Sequence, residues 1–155
     1  MAFKNRYYAH LLPDDIIVWE RFLSIHPNIY DRIEYDVRVG EGSTPPDDIE
    51  EKYKIMWRDL SQKRIDAIGH KPNLITIIEI TRMAGMKAVG QLMVYPILYR
   101  GSYDKLTPIS KLLIAEELLP DIESTLIEND IRFLLFPPGT GSPEQIRTEH
   151  AARGT

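Results

Sequence analysis

The segment that most constrains the fold of this chain is residues 74–81, which are rich in β-branched side chains and almost continuously apolar. Such residues favour strands, and a strand without polar alternation belongs inside a sheet that is covered on both faces. A single ionisable residue, Glu79, interrupts the apolar run. The sequence therefore predicts a central strand that carries one carboxylate.

Turn signals and apolar periodicity predict the elements around this strand. Helices are expected over about 13–25, after residue 85 and over about 120–129, and further strands over 34–39, 64–69, 111–115 and 132–136. Residues 52–62 are ambiguous, although four apolar residues there have helical spacing: Tyr53, Met56, Trp57 and Leu60.

The helix after residue 85 has one clear apolar stripe, made of Ala88, Leu92, Tyr95 and Tyr99. Pro96 lies inside this helix and leaves a carbonyl one turn earlier without its usual donor, so a kink or an early stop is expected there.

The order of the elements fixes the fold class. The closing strand–helix–strand unit requires a crossover connection, so part of the sheet is parallel and helices cover both of its faces. The sequence therefore predicts an α/β fold with a mixed central sheet flanked by helices on both faces. Its domain occupies residues 13–136, between an N-terminal arm (1–12) and an extended, Gly- and Pro-rich C-terminal tail (137–155).

Composition narrows the classes of function. The net charge is −4, which argues against avid, sequence-independent binding to nucleic acid. The chain has no cysteine, so disulfides, thiolate metal sites and cysteine nucleophiles are excluded. It shows no signal-peptide core and no apolar run of about 20 residues. We therefore expect a protein of the cytosol, or of a virion assembled there, with no membrane partner.

Two carboxylates are predicted to meet across a hairpin. Asp66 lies near the end of one strand and Glu79 on the next, and residues 70–73 form the turn between those strands. Carboxylate and carbonyl oxygens are the ligands that Mg²⁺ prefers. The carbonyl of Ile80 is placed to act as a third ligand, so the metal ligands predicted here are Asp66, Glu79 and Ile80.

Three further residues are candidates for the same site. Glu20 stands among apolar residues of the first helix, and it is either a site acid or the partner of a core cation. Lys87 and Gln91 are four residues apart and so are neighbours on the helix that follows the Glu79 strand. Lys87 is either a catalytic cation or a solvated lysine, and Gln91 either contacts substrate or caps the backbone at a strand end.

Other residues have ordinary structural explanations. Arg64 is expected to form an ion pair with Asp66 on the same strand face. The four histidines show no ligand spacing and are expected in loops or at the surface: His10, His26, His70 and His150. Aromatic side chains that could stack on bases, or could instead pack in the core or against a protein, are Tyr7, Tyr8, Tyr53 and Trp57.

These residues resemble the pattern of the PD-(D/E)XK nuclease superfamily. The family pattern has an acid, then Glu-x-Lys, then a helix with Gln and often Tyr, and it reads here as Asp66, Glu79-Ile80-Thr81, Gln91 and Tyr95. The resemblance covers about residues 14–136. It implies a restriction-endonuclease-like α-β-β-β-α-β core, with Glu20 as the acid of the first helix and Gln91 positioning substrate or water. The departure is Thr81 in the place of the lysine, because a threonine brings no charge.

Two functions follow from the resemblance and from the missing lysine. The first is a nuclease-like fold that has lost its chemistry and serves as a structural component of an oligomeric assembly, such as a phage particle, with protein partners bound by the tail and the N-terminal arm. Phe3, Tyr7 and Tyr8 supply that arm with aromatic contacts. The second is an active, Mg²⁺-dependent DNA nuclease in which Lys87 replaces the missing lysine.

Overall fold

A computed structural model describes Tyr8, residues 10–104, residues 106–141 and Glu144. Its helices are α1 (Pro13–Ile25), α2 (Glu51–Ser61), α3 (Met86–Ser102) and α4 (Glu123–Glu128). Its strands are β1 (Arg32–Val39), β2 (Lys63–Lys71), β3 (Leu74–Ala84), β4 (Ile109–Leu118) and β5 (Ile131–Leu135). Phe3, Tyr7, His150 and most of the predicted tail lie outside the described residues, and no described helix is long and apolar enough to cross a membrane.

The strands form one five-stranded sheet in the order β1-β2-β3-β4-β5. β2 runs antiparallel to both β1 and β3, whereas β4 and β5 run parallel to β3. β3 is therefore the central strand, as its apolar sequence predicts. The α/β class, the mixed sheet and the α-β-β-β-α-β order are confirmed, with α2 inserted between β1 and β2.

Helices cover both faces of the sheet, and β3 contributes to both cores. On one face, α1 packs Val18, Trp19 and Phe22 against a core that includes Ile78 and Ile80. On the other face, α3 and α4 cover a core that includes Ile75 and Ile77. Because side chains alternate along a strand, Glu79 and Thr81 share the α3 face with Ile75 and Ile77.

Helix α3 buries the predicted stripe, since Ala88, Leu92, Tyr95 and Tyr99 are all buried. The helix continues past Pro96 to Ser102, so the alternative of an early stop is wrong. Packing of residues on both sides of the proline against the sheet offsets the missing hydrogen bond.

Several other elements differ from the predictions, and the main differences concern α2, α4 and β3. The ambiguous segment is the helix α2, and none of its residues is buried. Helix α4 begins at Glu123 rather than at residue 120, because Asp121 has a φ of 66°, which a helix cannot contain. Strand β3 extends to Ala84, where it pairs with Leu118, so β4 continues to support it beyond its most apolar part.

The sheet opens between β2 and β3. Their pairing runs from Lys71 and Leu74 only as far as Ala67 and Ile78, whereas β2 stays paired with β1 as far as Lys63. We call the gap between residues 63–66 and residues 79–84 the strand opening. Within the strand opening, the edge of β3 that would face β2 has no neighbouring strand.

Candidate metal centre

Asp66 lies where the two strands separate. Its Oδ2 atom accepts a hydrogen bond of 2.9 Å from the backbone N–H of Ile80. That N–H points toward β2 but has no β2 pairing partner, because the ladder ends two residues earlier, at Ile78. A buried N–H without a partner is costly, so the carboxylate of Asp66 completes the edge of β3.

Glu79 is the buried acid of the opening, with 4% of its surface exposed. Burial raises the pKa of Glu79 well above its ordinary value, and the negative charge of Asp66 raises this pKa further. Burial also raises the pKa of Asp66, while the N–H of Ile80 opposes that shift. The two carboxyl groups are in hydrogen-bonding contact, and this contact raises the pKa of Glu79 and lowers that of Asp66.

One oxygen of this pair has no hydrogen-bond partner among the described residues. It is Oε1 of Glu79, and it is fully inaccessible to solvent. A buried carboxylate oxygen in this state costs free energy unless a proton or a cation satisfies it. The oxygen ligands fit a hard divalent cation, which would compete with protons for these acids because metal binding requires the deprotonated carboxylates.

The backbone supplies a further oxygen to the opening. In a β-strand the N–H and C=O groups of one residue point to the same edge, so the carbonyl of Ile80 faces the same side as the N–H that Asp66 accepts. The described residues contain no group of three or more His, Asp or Glu side chains that would hold a metal ion alone. The Ile80 carbonyl and water would therefore have to complete a coordination shell begun by Asp66 and Glu79.

Lys87 lies in the first turn of α3, directly after β3. Its side chain is exposed, and its positive charge nevertheless lowers the pKa of Glu79 against the effect of burial. Lys87 is therefore solvated, which was one predicted alternative. Its charge also acts on the buried acid, which the other alternative, a catalytic cation, requires.

Gln91 and Tyr95 stand on the wall of α3 that faces the two acids. Nε2 of Gln91 donates a hydrogen bond of 3.1 Å to the hydroxyl of Tyr95. Burial raises the pKa of Tyr95, and the nearby charges of Glu79 and Asp66 raise it further. Tyr95 therefore remains a neutral hydroxyl beside the acidic pair.

The sequence predicts one site acid from α1, Glu20, whereas two acids of this helix, Glu20 and Asp15, lie at different places along the sheet. The charge of Glu20 raises the pKa values of Tyr8 and Tyr35, so Glu20 lies toward the β1 side of the sheet. Asp15 lies nearer the opening, and its Oδ1 accepts a hydrogen bond of 2.8 Å from the N–H of Arg82. Burial raises the pKa of Asp15, and the charge of Asp66 adds to that shift.

His10 lies in a turn, which agrees with the expected loop position, but its side chain is mostly covered. Its side chain is 10% exposed, and Nε2 lies 3.8 Å from Oδ1 of Asp66. The same nitrogen donates a hydrogen bond of 3.1 Å to the Asp66 carbonyl oxygen. Tyr8 and Leu11, on either side, are buried in the α1-face core and hold this segment in place.

Arg64 also differs from its prediction. Its Nε atom lies 3.3 Å from Oδ1 of Asp36 on β1, so its ion pair is with Asp36 and not with Asp66. Asp36 has a φ of 54° and lies where the β1–β2 pairing skips a residue pair, opposite Asp66. The carboxylate of Asp66 is thus left for Ile80 and His10.

No protein-family model and no curated protein matches the chain. Similar solved structures include a repair endonuclease from Pyrococcus abyssi, with 18% identity and a TM-score of 0.45 over 76% of this chain and 44% of that one. Another is an EndoMS complex with double-stranded DNA, with 15% identity and a TM-score of 0.47 over 84% of this chain and 47% of that one. A protein of unknown function, AF1548, has 8% identity and a TM-score of 0.45 over 86% of this chain and 66% of that one.

The chain thus spans less than half of the length of the two nuclease structures. The chain itself has the mixed sheet and, apart from the inserted α2, the order of elements from α1 to β4 that the sequence resemblance implies.

Proposed function

We propose that this chain binds a divalent cation in the strand opening and hydrolyses phosphodiester bonds of DNA. The observation that carries the proposal is the unpartnered, solvent-inaccessible Oε1 of Glu79 beside Asp66. The hydrogen bonds between Glu79 and Asp66 offset part of the cost of burying two adjacent acids, but they leave Oε1 of Glu79 without a partner among the described residues. Asp66, Glu79 and the Ile80 carbonyl would hold a cation there, and its charge would offset the remaining cost.

A bound divalent cation supplies a Lewis acid for the phosphoryl oxygen and lowers the pKa of a coordinated water. The protein residues hold and orient the reacting groups. Asp66 is fixed by Ile80 and His10, and Glu79 by its burial between β3 and α3. The neutral hydroxyl of Tyr95, oriented by Gln91, can hydrogen-bond to a substrate oxygen or to water on the α3 side.

Lys87 takes the place of the missing lysine in this proposal. Charge develops on the phosphoryl oxygens during hydrolysis, and a nearby ammonium stabilises it. Thr81 lies on the same strand face as Glu79 but carries no charge. Lys87 is exposed, as a group that meets an incoming phosphate must be, and its charge already reaches Glu79.

The proposal is tested by measuring metal binding and DNA cleavage on the same preparations. We expect calorimetry to detect Mn²⁺ binding to the wild-type chain and to Lys87→Ala, and little binding to Glu79→Gln. We expect cleavage of supercoiled and linear DNA with Mg²⁺ or Mn²⁺, a loss of about 100-fold in Lys87→Ala and complete loss in Glu79→Gln.

Lys71→Ala is a matched control, because Lys71 is an exposed lysine at the opposite end of β2, paired with Asp31. Metal binding without cleavage by the wild-type chain would contradict the enzymatic part of the proposal. Absence of both would contradict the metal site as well.

A second candidate function is an inactive module of a larger assembly, such as a phage particle. The observation that favours it is the outer side of α3, where Met86, Met93, Val94 and Ile97 are exposed. A helix that is apolar around most of its circumference is typical of a buried position. Under this hypothesis the wild-type chain neither binds Mn²⁺ nor cleaves DNA, and Ile97→Lys, with Ile127→Lys as its control, prevents its incorporation into the assembly.

A further inference from the structure

Helix α2 carries an apolar stripe that stays largely exposed in the described chain. Tyr53, Met56, Trp57 and Leu60 follow helical spacing and are all exposed, Leu60 by 74%. The helix is held instead by the loop after β1. Nε1 of Trp57 donates to Oγ of Ser43 at 3.0 Å, and the N–H of Ser43 donates to Oγ of Ser61 at 2.8 Å.

Close packing of the backbone also fixes this helix to its loop. Gly42 has a φ of 74°, and a Cβ atom there would lie 2.6 Å from the carbonyl oxygen of Arg58. Apart from the hydrogen bond of the Trp57 indole, these contacts between the helix and its loop do not involve the stripe. Four large apolar side chains at one exposed surface indicate an interface.

The stripe matches itself when two copies of α2 run antiparallel. If a two-fold axis passes between Met56 and Trp57, Tyr53 of one copy faces Leu60 of the other, and Met56 faces Trp57. Each apolar residue of the stripe then has an apolar partner. A surface that is complementary to itself in this way is the requirement for an isologous, two-fold interface.

The charges beside the stripe agree with the same arrangement. In an antiparallel helix pair, residues on the same flank of each helix face one another. Lys52 and Asp59 share one flank, seven residues apart. The proposed axis brings Lys52 of each copy to within two residues, about 3 Å along the helix, of the level of Asp59 of the other, an offset that the long lysine side chain can span. Both side chains are exposed, and within the chain Lys52 lies 3.5 Å from Glu50 and over the ring of Tyr53, while Asp59 lies 4.0 Å from Arg38.

We propose that a second copy of this chain docks on α2, with the two helices antiparallel about an axis between Met56 and Trp57. One three-turn helix from each copy gives a small interface, so a dissociation constant on the order of 10 µM is expected. The proposal does not depend on the metal site, and it is tested in EDTA so that the two can fail separately.

The absence of cysteine makes a direct cross-linking test possible. Met56→Cys places one thiol beside the proposed axis, within the distance of about 7 Å between Cα atoms that a disulfide requires. We expect rapid formation of a covalent dimer on oxidation. Ile127→Cys is the control, because Ile127 is exposed on α4. Equal cross-linking of the two variants would overturn the proposal.

Charge exchange tests the orientation. In sedimentation equilibrium we expect Lys52→Asp alone, or Asp59→Lys alone, to weaken the dimer about tenfold, because each creates two repulsive pairs. The double variant should restore it, even though the pair between Asp59 and Arg38 stays broken. A wild-type chain that is monomeric at 200 µM, about twentyfold above the expected constant, would overturn the proposal. So would a double variant as weak as the singles, or quenching of Trp57 fluorescence by an oligonucleotide in a monomeric chain.

Discussion

Asp66 and Asp15 accept hydrogen bonds from backbone N–H groups two residues apart on β3, those of Ile80 and Arg82. Alternate N–H groups of a strand point to the same edge, so the two carboxylates complete the same open edge of the sheet. One comes from β2 and the other from α1. In the opening between β2 and β3, these side chains therefore accept the hydrogen bonds that a neighbouring strand would otherwise accept.

The capping role of Asp66 predicts different stabilities for two substitutions. Asp66→Ala leaves the N–H of Ile80 without its acceptor and should lower the free energy of unfolding by about 1–3 kcal/mol. Asp66→Asn keeps an oxygen acceptor and should cost clearly less. Urea unfolding of the metal-free proteins measures the difference. Equal losses would show that the hydrogen bond to Ile80 does not stabilise the fold.

Glu79 predicts a dependence of stability on pH. Its pKa is near 4.5 in the unfolded chain and is raised in the folded one, so the folded state binds the proton more tightly. The free energy of unfolding of the metal-free protein should therefore fall as the pH rises above about 4.5, until the folded pKa is passed. Asp66 and Asp15, whose pKa values are also raised, shift stability in the same direction.

Glu79→Gln isolates the contribution of this one acid, because glutamine cannot ionise. We expect the variant to be more stable than wild type at pH 8, by about 1–3 kcal/mol, and to differ less at pH 4.5. Denaturant unfolding in EDTA at both pH values is the measurement. Addition of Mn²⁺ should stabilise the wild type and leave the variant unchanged. If the variant were destabilised equally at both pH values, ionisation of Glu79 would not be what lowers the free energy of unfolding of the wild type.

The position of Thr81 predicts a gain of function. Thr81→Lys places an ammonium on the same strand face as Glu79 and should raise DNA cleavage about tenfold or more. In a Lys87→Ala background it should recover most of the lost activity, because the two cations would serve one site. Met86→Lys adds the same charge at an exposed position near the start of α3 and should do neither. No effect of Thr81→Lys in either background would contradict this role for the position.

His10 is predicted to position Asp66. Residues that hydrogen-bond to metal ligands commonly change metal affinity by 10- to 100-fold. His10→Ala should therefore weaken Mn²⁺ binding about tenfold, and His10→Gln, which can still donate to the Asp66 carbonyl, should recover part of the affinity. His70→Ala is the control, because His70 bonds to Glu34, away from the opening. Calorimetry would contradict the prediction if all three variants bound Mn²⁺ as wild type does.

The sequence predicts the parts of this fold that depend on local pattern. The apolar run of β3, the stripe of α3 and the meeting of Asp66 with Glu79 follow from periodicity and from one hairpin. The sequence could not predict that the apolar stripe of α2 stays exposed, because helical spacing is the same in a buried helix and in an exposed one. The sequence also could not predict where β3 ends, because that boundary depends on the pairing of Ala84 with Leu118.

The missed residues of the site are distant from it in sequence. Asp15 looks like an ordinary acid in the first turn of a helix, where the helix dipole accounts for it. Its contact with Arg82 depends on how α1 is rotated over the sheet, which one sequence does not reveal. His10 is 56 residues from Asp66 and has no ligand spacing. The proline that begins α1 and the buried Tyr8 and Leu11 were the only signals that this segment is fixed.

The two acids of the strand opening illustrate two different reasons why an acidic residue can be retained during evolution. Asp66 is needed by the backbone of its neighbour, so a descendant that lost all chemistry would still be selected to keep it for folding. Glu79 also accepts a hydrogen bond from the backbone N–H of Asp66, but its other oxygen, Oε1, has no partner among the described residues. Among relatives of this chain, an acid at the position of Asp66 would therefore say little about activity, whereas replacement of Glu79 by an apolar residue would mark a lineage in which the site has been abandoned.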